Sequence, residues 1–192
     1  VTATSGGRHH VVRVVPLSGE DFRARLPEAL SLYVAAMRYP PGTAEQRAPM
    51  WLTHALRDGW RCVVALDERD ALVGLAYGYH GAPGQWWYEQ VHRGLRTRAG
   101  EETARDWLTD YFELTEIHVR PDRQGRGIGE SLLRRLLDGV PRARVLLSTP
   151  EGPTRAWTLY RRLGFVDVLR QYHFAGDARA FAVLGRPLPL DD

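Results

Sequence analysis

Lysine does not occur in this chain of 192 residues: all 26 residues of the combined lysine and arginine count are arginines. The protein therefore has no lysine side chain that could acylate itself, and it lacks the Gly-Lys-Ser/Thr of a phosphate-binding P-loop. Cysteine is almost as scarce. Cys62 stands alone, which excludes an intrachain disulfide and any all-cysteine metal site, and makes the cytoplasm the default expectation. No apolar run approaches the roughly 20 residues needed to cross a bilayer, so no membrane partner is expected. Residues 1–10 lack the apolar centre of a secretory signal and read as a disordered lead-in. A large charge of one sign is also missing. The 23 acidic residues nearly balance the arginines, leaving a net charge of +3, and the two kinds alternate along most of the chain. No basic stripe with interleaved aromatics stands out, so nucleic acid is not an expected partner. His9, His10, His54, His92 and His173 keep no metal-ligand spacing, and no metal is expected.

What is present is an ordinary globular composition, 44% apolar, on a chain long enough for one buried core. With no repeat and no low-complexity linker, residues 11–192 are expected to form a single domain. Val11–Val15 reads as a strand. Ser18 with Asp21 resembles a capping box, and Phe22, Leu26, Leu30, Tyr33 and Met37 follow at helical spacing until Tyr39-Pro40-Pro41-Gly42. Thr43, paired with Gln46 as a second box, opens a helix to about Leu56. Trp60–Leu66 and Ala71–Tyr79 read as a hairpin around Asp67–Asp70. Residues 81–110 are expected to be a helical insertion, one helix from Gln85 to Arg98 and a second from Glu102 to Thr109. Its Trp86 and Trp87, with Trp107, are expected to pin it to a sheet; the alternative is an aromatic wall for a ligand. A strand at Tyr111–Arg120, a helix at Gly127–Leu137 and a short strand at Ala143–Ser148 follow. Pro153–Leu163 is a helix with Pro in its first turn and Gly164 beyond its end, and Phe165–Arg170 and Arg179–Leu184 finish as strands. The order describes an α/β mixture of hairpins and crossovers in one sheet.

Chemistry concentrates between the strand at 111–120 and the following helix. Gln124-Gly125-Arg126-Gly127-Ile128-Gly129 sets three alternating glycines at a helix N-terminus. Backbone N–H groups left bare there, together with the helix dipole, make a cradle suited to a pyrophosphate. Arg123 and Arg126 add positive charge. A dinucleotide fold would need G-x-G-x-x-G early in the chain and an acid on the next strand, and Ala143–Ser148 has none.

Gln124-x-x-Gly127-x-Gly129 resembles the acyl-CoA signature of the GNAT superfamily of N-acetyltransferases. Glu113-Leu114-x-x-Ile117-x-Val119-x-Pro121 before it and Ala156-x-x-Leu159-Tyr160-x-x-Leu163-Gly164-Phe165 after it resemble the flanking blocks of that family. About half the chain is covered. One departure is Pro153, where many members carry an asparagine that contacts the cofactor. The resemblance implies a mixed, mostly antiparallel central sheet with helices on both faces and a splayed cofactor cleft. It implies acetyl-CoA as acyl donor, no metal, and direct attack by a primary amine, small-molecule or peptide, in a ternary complex. The pantetheine arm would lie along the strand near Ile117, His118 and Val119. Gln124, Gly125, Arg126, Gly127, Ile128 and Gly129 would hold the pyrophosphate. Tyr160 resembles the general acid that protonates the departing thiolate, and Glu113 sits where several members place a base. Glu116 is the second candidate base; simple alternation places it on the strand face opposite Glu113 and on the same face as His118. The rival reading is a catalytically inactive acyl-CoA-binding regulatory module, and the resemblance leaves room for a homodimer.

Overall fold

The computed structural model describes residues 11–190, so the expectation for residues 1–10 lies outside it. Seven strands form one sheet: β1 (Arg13–Leu17), β2 (Arg61–Leu66), β3 (Leu72–His80), β4 (Tyr111–Val119), β5 (Arg144–Pro150), β6 (Val166–Tyr172) and β7 (Phe181–Pro187). Their order is β1-β2-β3-β4-β5-β7-β6, and every neighbouring pair is antiparallel except β4 and β5. The β2–β3 hairpin closes through Asp67, whose Oδ1 accepts from the N–H groups of Arg69 and Ala71. Both strands of that hairpin are apolar almost without interruption because helices cover both faces of the sheet, where a half-exposed hairpin would alternate.

The helices are α1 (Gly19–Ala24), α2 (Leu26–Met37), α3 (Thr43–His54), α4 (Trp86–Ala99), α5 (Glu101–Leu108), α6 (Ile128–Leu137) and α7 (Arg155–Arg162), with a 3₁₀ turn at Pro121–Arg123. Ser18 caps α1 through its hydroxyl, as its spacing to Asp21 suggests. The single helix expected from Phe22 to Met37 is instead broken at Arg25. Pro27, which has no N–H to give to the previous turn, starts α2 afresh. The Thr43–Gln46 box does not form: Gly42, at φ 90°, caps α3, and the Thr43 hydroxyl donates back to the Pro40 carbonyl. Pro153 likewise lies outside α7, whose cap is the Thr154 hydroxyl accepting from Trp157 N–H. Strand ends move by two or three residues where the partner strand decides them. β1 ends at Leu17 because Leu17 pairs with Cys62, and β7 begins at Phe181 opposite Pro150.

One face of the sheet is covered by α6 and α7. Ile128, Leu132, Leu133, Leu136 and Leu137 pack there on Val63, Ala76, Phe112, Leu114 and Val145. The other face carries two separate groups. α1–α3 cover the half around β2 and β3, and α4–α5 cover the half around β5, β6 and β7. Trp87 is buried under α4 and donates its indole N–H to Ser148 Oγ at 3.1 Å. Trp107 lies so close to β7 that a Cβ on Gly185 would stand 2.8 Å from its ring. Those two tryptophans do pin the segment, as expected. Trp86 does not: it is 54% exposed, with its ring 5.7 Å from that of Phe174. No helix among the described residues is long and apolar enough to cross a membrane.

Candidate active site

The cleft arises from one strand pair that stops early. β4 and β5 are joined only at Tyr111–Arg144, Phe112–Val145 and Glu113–Leu146. Beyond that point β5 continues along β7 while β4 continues along β3, so the two strands part. From Leu114 to Val119 the β5-facing edge of β4 has no strand partner among the described residues. Unpaired backbone donors and acceptors in such a slot suit an extended ligand that carries amides.

Within the slot the ladder slips once. Tyr77 pairs with Glu116 but Gly78 pairs with Leu114, leaving Thr115 as an extra, bulged residue. Glycine is required at position 78, where a Cβ would stand 2.1 Å from the Glu113 carbonyl oxygen. The bulge resets the alternation, which corrects the expectation that Glu113 and Glu116 face opposite ways. Opposite Tyr79 and Tyr77 respectively, both carboxylates point to the face covered by α1–α3. His118 shares that face; its ring is 5.0 Å from that of Tyr33, and its Nε2 meets Glu116 Oε2 at 2.5 Å.

Glu113 is 3% exposed, and its Oε2 has no hydrogen-bond partner among the described residues. Burial raises its pKa from the usual 4.5 to about 8, against the opposing pull of Arg57 and the Tyr79 hydroxyl. Arg57 Nη1 donates to that hydroxyl at 2.6 Å. The Tyr111 hydroxyl, also buried, is a second orphan polar atom in the same field. Burying two such groups unpaired is costly in a fold that needs only itself, and the cost points to a site completed by a ligand or by water.

At the outer end of the slot, Gln124 Nε2 donates to the Val119 carbonyl at 3.0 Å and holds the turn. Gly125 and Gly127 follow at φ 73° and 80°, and Gly127 caps α6 with no side chain of its own. A Cβ at Gly127 would meet nothing within 4 Å, so glycine serves the left-handed backbone and open access to the helix end. The first N–H groups of α6 point out unpaired, with the positive end of the helix behind them. Arg126 is exposed beside them, and Arg155 reaches over from α7 to lie 3.0 Å from the place of a Gly125 Cβ. This cationic, N–H-lined cradle fits a pyrophosphate. Two residues expected to hold the cofactor, Ile128 at the pyrophosphate and His118 along the pantetheine arm, turn their side chains away and offer only backbone. The Ile128 side chain is buried in the core under α6, and His118 points its ring at Tyr33.

Tyr160 lies on the α6–α7 face, 4% exposed, packed with Leu114 and with its ring 5.5 Å from that of Phe165. No described residue hydrogen-bonds its hydroxyl. Burial, and then the charge of Glu116, keep its pKa above the ordinary phenol value, so it is a neutral O–H donor. Glu113 and Tyr160 thus stand on opposite faces of the strand that lines the slot. Arg57, Tyr33 and Arg155 join the site although sequence reasoning placed none of them there, and Arg57 and Tyr33 carry no mark of it in their own sequence neighbourhoods. Only Arg155 had a usable hint, two residues past the unusual Pro153.

The Acetyltransferase (GNAT) domain family matches residues 58–167, more than half of the chain. The GCN5-like protein acetyltransferase Rv2170 of Mycobacterium tuberculosis is 50% identical, over 92% of this chain and 98% of its own. Among solved structures, the ribosomal-protein-S18-alanine N-acetyltransferase from Escherichia coli superposes with a TM-score of 0.61 at 18% identity, covering 95% of this chain and 97% of that one. A phosphinothricin acetyltransferase from Sinorhizobium meliloti, solved in complex with AcCoA, gives 0.61 at 21% identity over 92% and 88%. At such identities these two speak for the fold alone. The family match and the half-identical relative show that the chain belongs to the GNAT family of acetyltransferases.

Proposed function

We propose that this acetyltransferase uses acetyl-CoA to acetylate a primary amine by direct attack, with donor and acceptor held together. The observation that carries the reading is the slot where β4 leaves β5, ending at the glycine cradle, with Glu113 on one side of its strand and Tyr160 on the other. Acetyl-CoA fits those features as a substrate: amides for the open edge of β4, phosphates for the α6 N-terminus and Arg155. Glu113 takes the proton from the acceptor ammonium. A carboxylate with its pKa lifted to about 8 is matched to that task, being a far better base than an ordinary carboxylate near neutral pH. The freed amine attacks the thioester carbon, the carbon–sulfur bond breaks, Tyr160 gives its proton to the departing sulfur, and the proton shed by the nitrogen as it becomes an amide restores the phenol. Glu116, paired with His118, supplies negative charge on the acceptor side.

Because the half-identical relative is named a protein acetyltransferase, the favoured acceptor is an amine of a polypeptide. Incubating the enzyme with acetyl-CoA and a panel of lysine peptides, N-terminal peptides and small amines tests the reading. Free CoA should appear only with an acceptor, which should gain one acetyl group by mass spectrometry. Tight acetyl-CoA binding with no transfer to any amine would overturn it.

A further inference from the structure

One cavity is not used by these steps. A groove of about 450 Å³ lies open to solvent where α2 gives way to α3, bounded by Tyr39, Gln46, Arg47, Met50 and, from the β6–β7 loop, Arg179. Packed rings join its wall to the candidate base strand. Tyr39 and Tyr33 are 5.4 Å apart, and Tyr33 and His118 are 5.0 Å apart. The groove therefore opens on the same face as Glu113 and Glu116.

Its two guanidiniums differ. Arg179 is tied to both carboxylate oxygens of Asp177, and the pairing holds that acid at about 2. Arg47 is half-buried, feels Asp177 and Tyr33 only at a distance, and has no carboxylate within ion-pairing reach among the described residues. A guanidinium drawn partly out of water with its fork unfilled is a ready site for a carboxylate.

The polypeptide acceptor proposed above would supply that carboxylate. A lysine side chain is about 6 Å long, so an acidic neighbour on the same polypeptide can meet Arg47 while the amine stands away from the backbone. We propose that Arg47 binds a carboxylate of the acceptor, and that the acceptor is a lysine set in an acidic stretch of polypeptide. The proposal rests on the transferase reading, but its test does not need turnover.

Fluorescent peptides carrying one lysine flanked by glutamate, glutamine or arginine would be titrated against the full chain in the presence of CoA, with anisotropy as readout. The parent should bind the glutamate peptide about tenfold more tightly than the glutamine one, the size expected of one charge-assisted contact. Arg47→Gln should erase the preference, and Arg47→Glu should turn it toward the arginine peptide. CoA affinity by calorimetry reports that each variant is folded. A parent that does not discriminate, or a preference that survives Arg47→Glu, overturns the proposal. So does displacement of the peptide by free glutamate at matching concentration, which would make a small acid the ligand. Charge-dependent binding lost with Arg47 but accompanied by no acetyl transfer would uphold this groove and remove the catalytic reading instead.

Discussion

Glu113→Gln should make the protein more stable, and by an amount that grows with pH. In the unfolded chain the carboxyl ionises near 4.5; in the fold it stays protonated until about 8. Between those values the native state binds a proton that the unfolded state has released, so wild-type stability falls as pH rises. The slope is about 1.4 kcal/mol per pH unit, which makes the loss about 3 kcal/mol at neutrality and about 5 kcal/mol once the group is fully ionised. Below 4.5 the group is neutral in both states and contributes nothing. Glutamine has the same shape and never ionises, so the gap between variant and wild type should be about 1 kcal/mol at pH 5 and widen through pH 7 to pH 9. Chemical unfolding midpoints at those three pH values, with slopes checked for equality, give the difference directly. The same variant should lose about 10²–10⁴ in turnover, because the proton acceptor is gone. The wild-type rate should rise with pH toward a midpoint near 8, and the residual rate of the variant should lack that rise. A stability gap that is flat across pH would refute the buried, proton-holding state of Glu113. A pH-dependent gap with undiminished turnover would leave the burial intact and move the base elsewhere, first to Glu116.

Three further outcomes follow from particular contacts. Tyr160→Phe removes a hydroxyl that no described residue uses, so unfolding and CoA affinity should hold while single-turnover acetyl transfer falls by about 10²–10⁴. Gly127→Ala adds a methyl that meets nothing but strains a backbone at φ 80°, a cost of about 1–2 kcal/mol, whereas Gly127→Asp adds a charge facing the phosphates. Calorimetry should therefore find CoA binding weakened in the first and lost in the second, and equal affinities would displace the pyrophosphate from the cradle. Trp87→Leu gives up a buried ring and the bond to Ser148 and should cost about 2–4 kcal/mol in urea unfolding, while Trp86→Leu on the surface should stay within about 0.5 kcal/mol.

Most of the elements and the glycine loop before α6 were legible because they rest on local signals. Glycines at 125 and 127 announce left-handed backbone, and the apolar spacing from Ile128 to Leu137 announces the helix they open. The seven strands, the α4–α5 pair and the place of Tyr160 on α7 follow from residues within a turn or two of one another. Fine punctuation was less secure, since Thr43 and Pro153 satisfy a capping pattern on paper while a neighbouring residue makes the cap.

What the chain alone could not decide is where pairing slips and what burial does to charge. Counting by twos put Glu113 and Glu116 on opposite faces. One extra residue at Thr115, admitted because Gly78 leaves room across the ladder, put them on the same face. The pKa of Glu113 depends on Arg57 and Tyr79, brought beside it by other elements, and on a closed roof of aromatic rings. Arg47 reads in sequence as one more surface arginine on a helix; its open groove exists only where the α2–α3 corner meets the β6–β7 loop. Strand register and desolvation are set by contacts between residues far apart in the chain, and no local pattern carries that information.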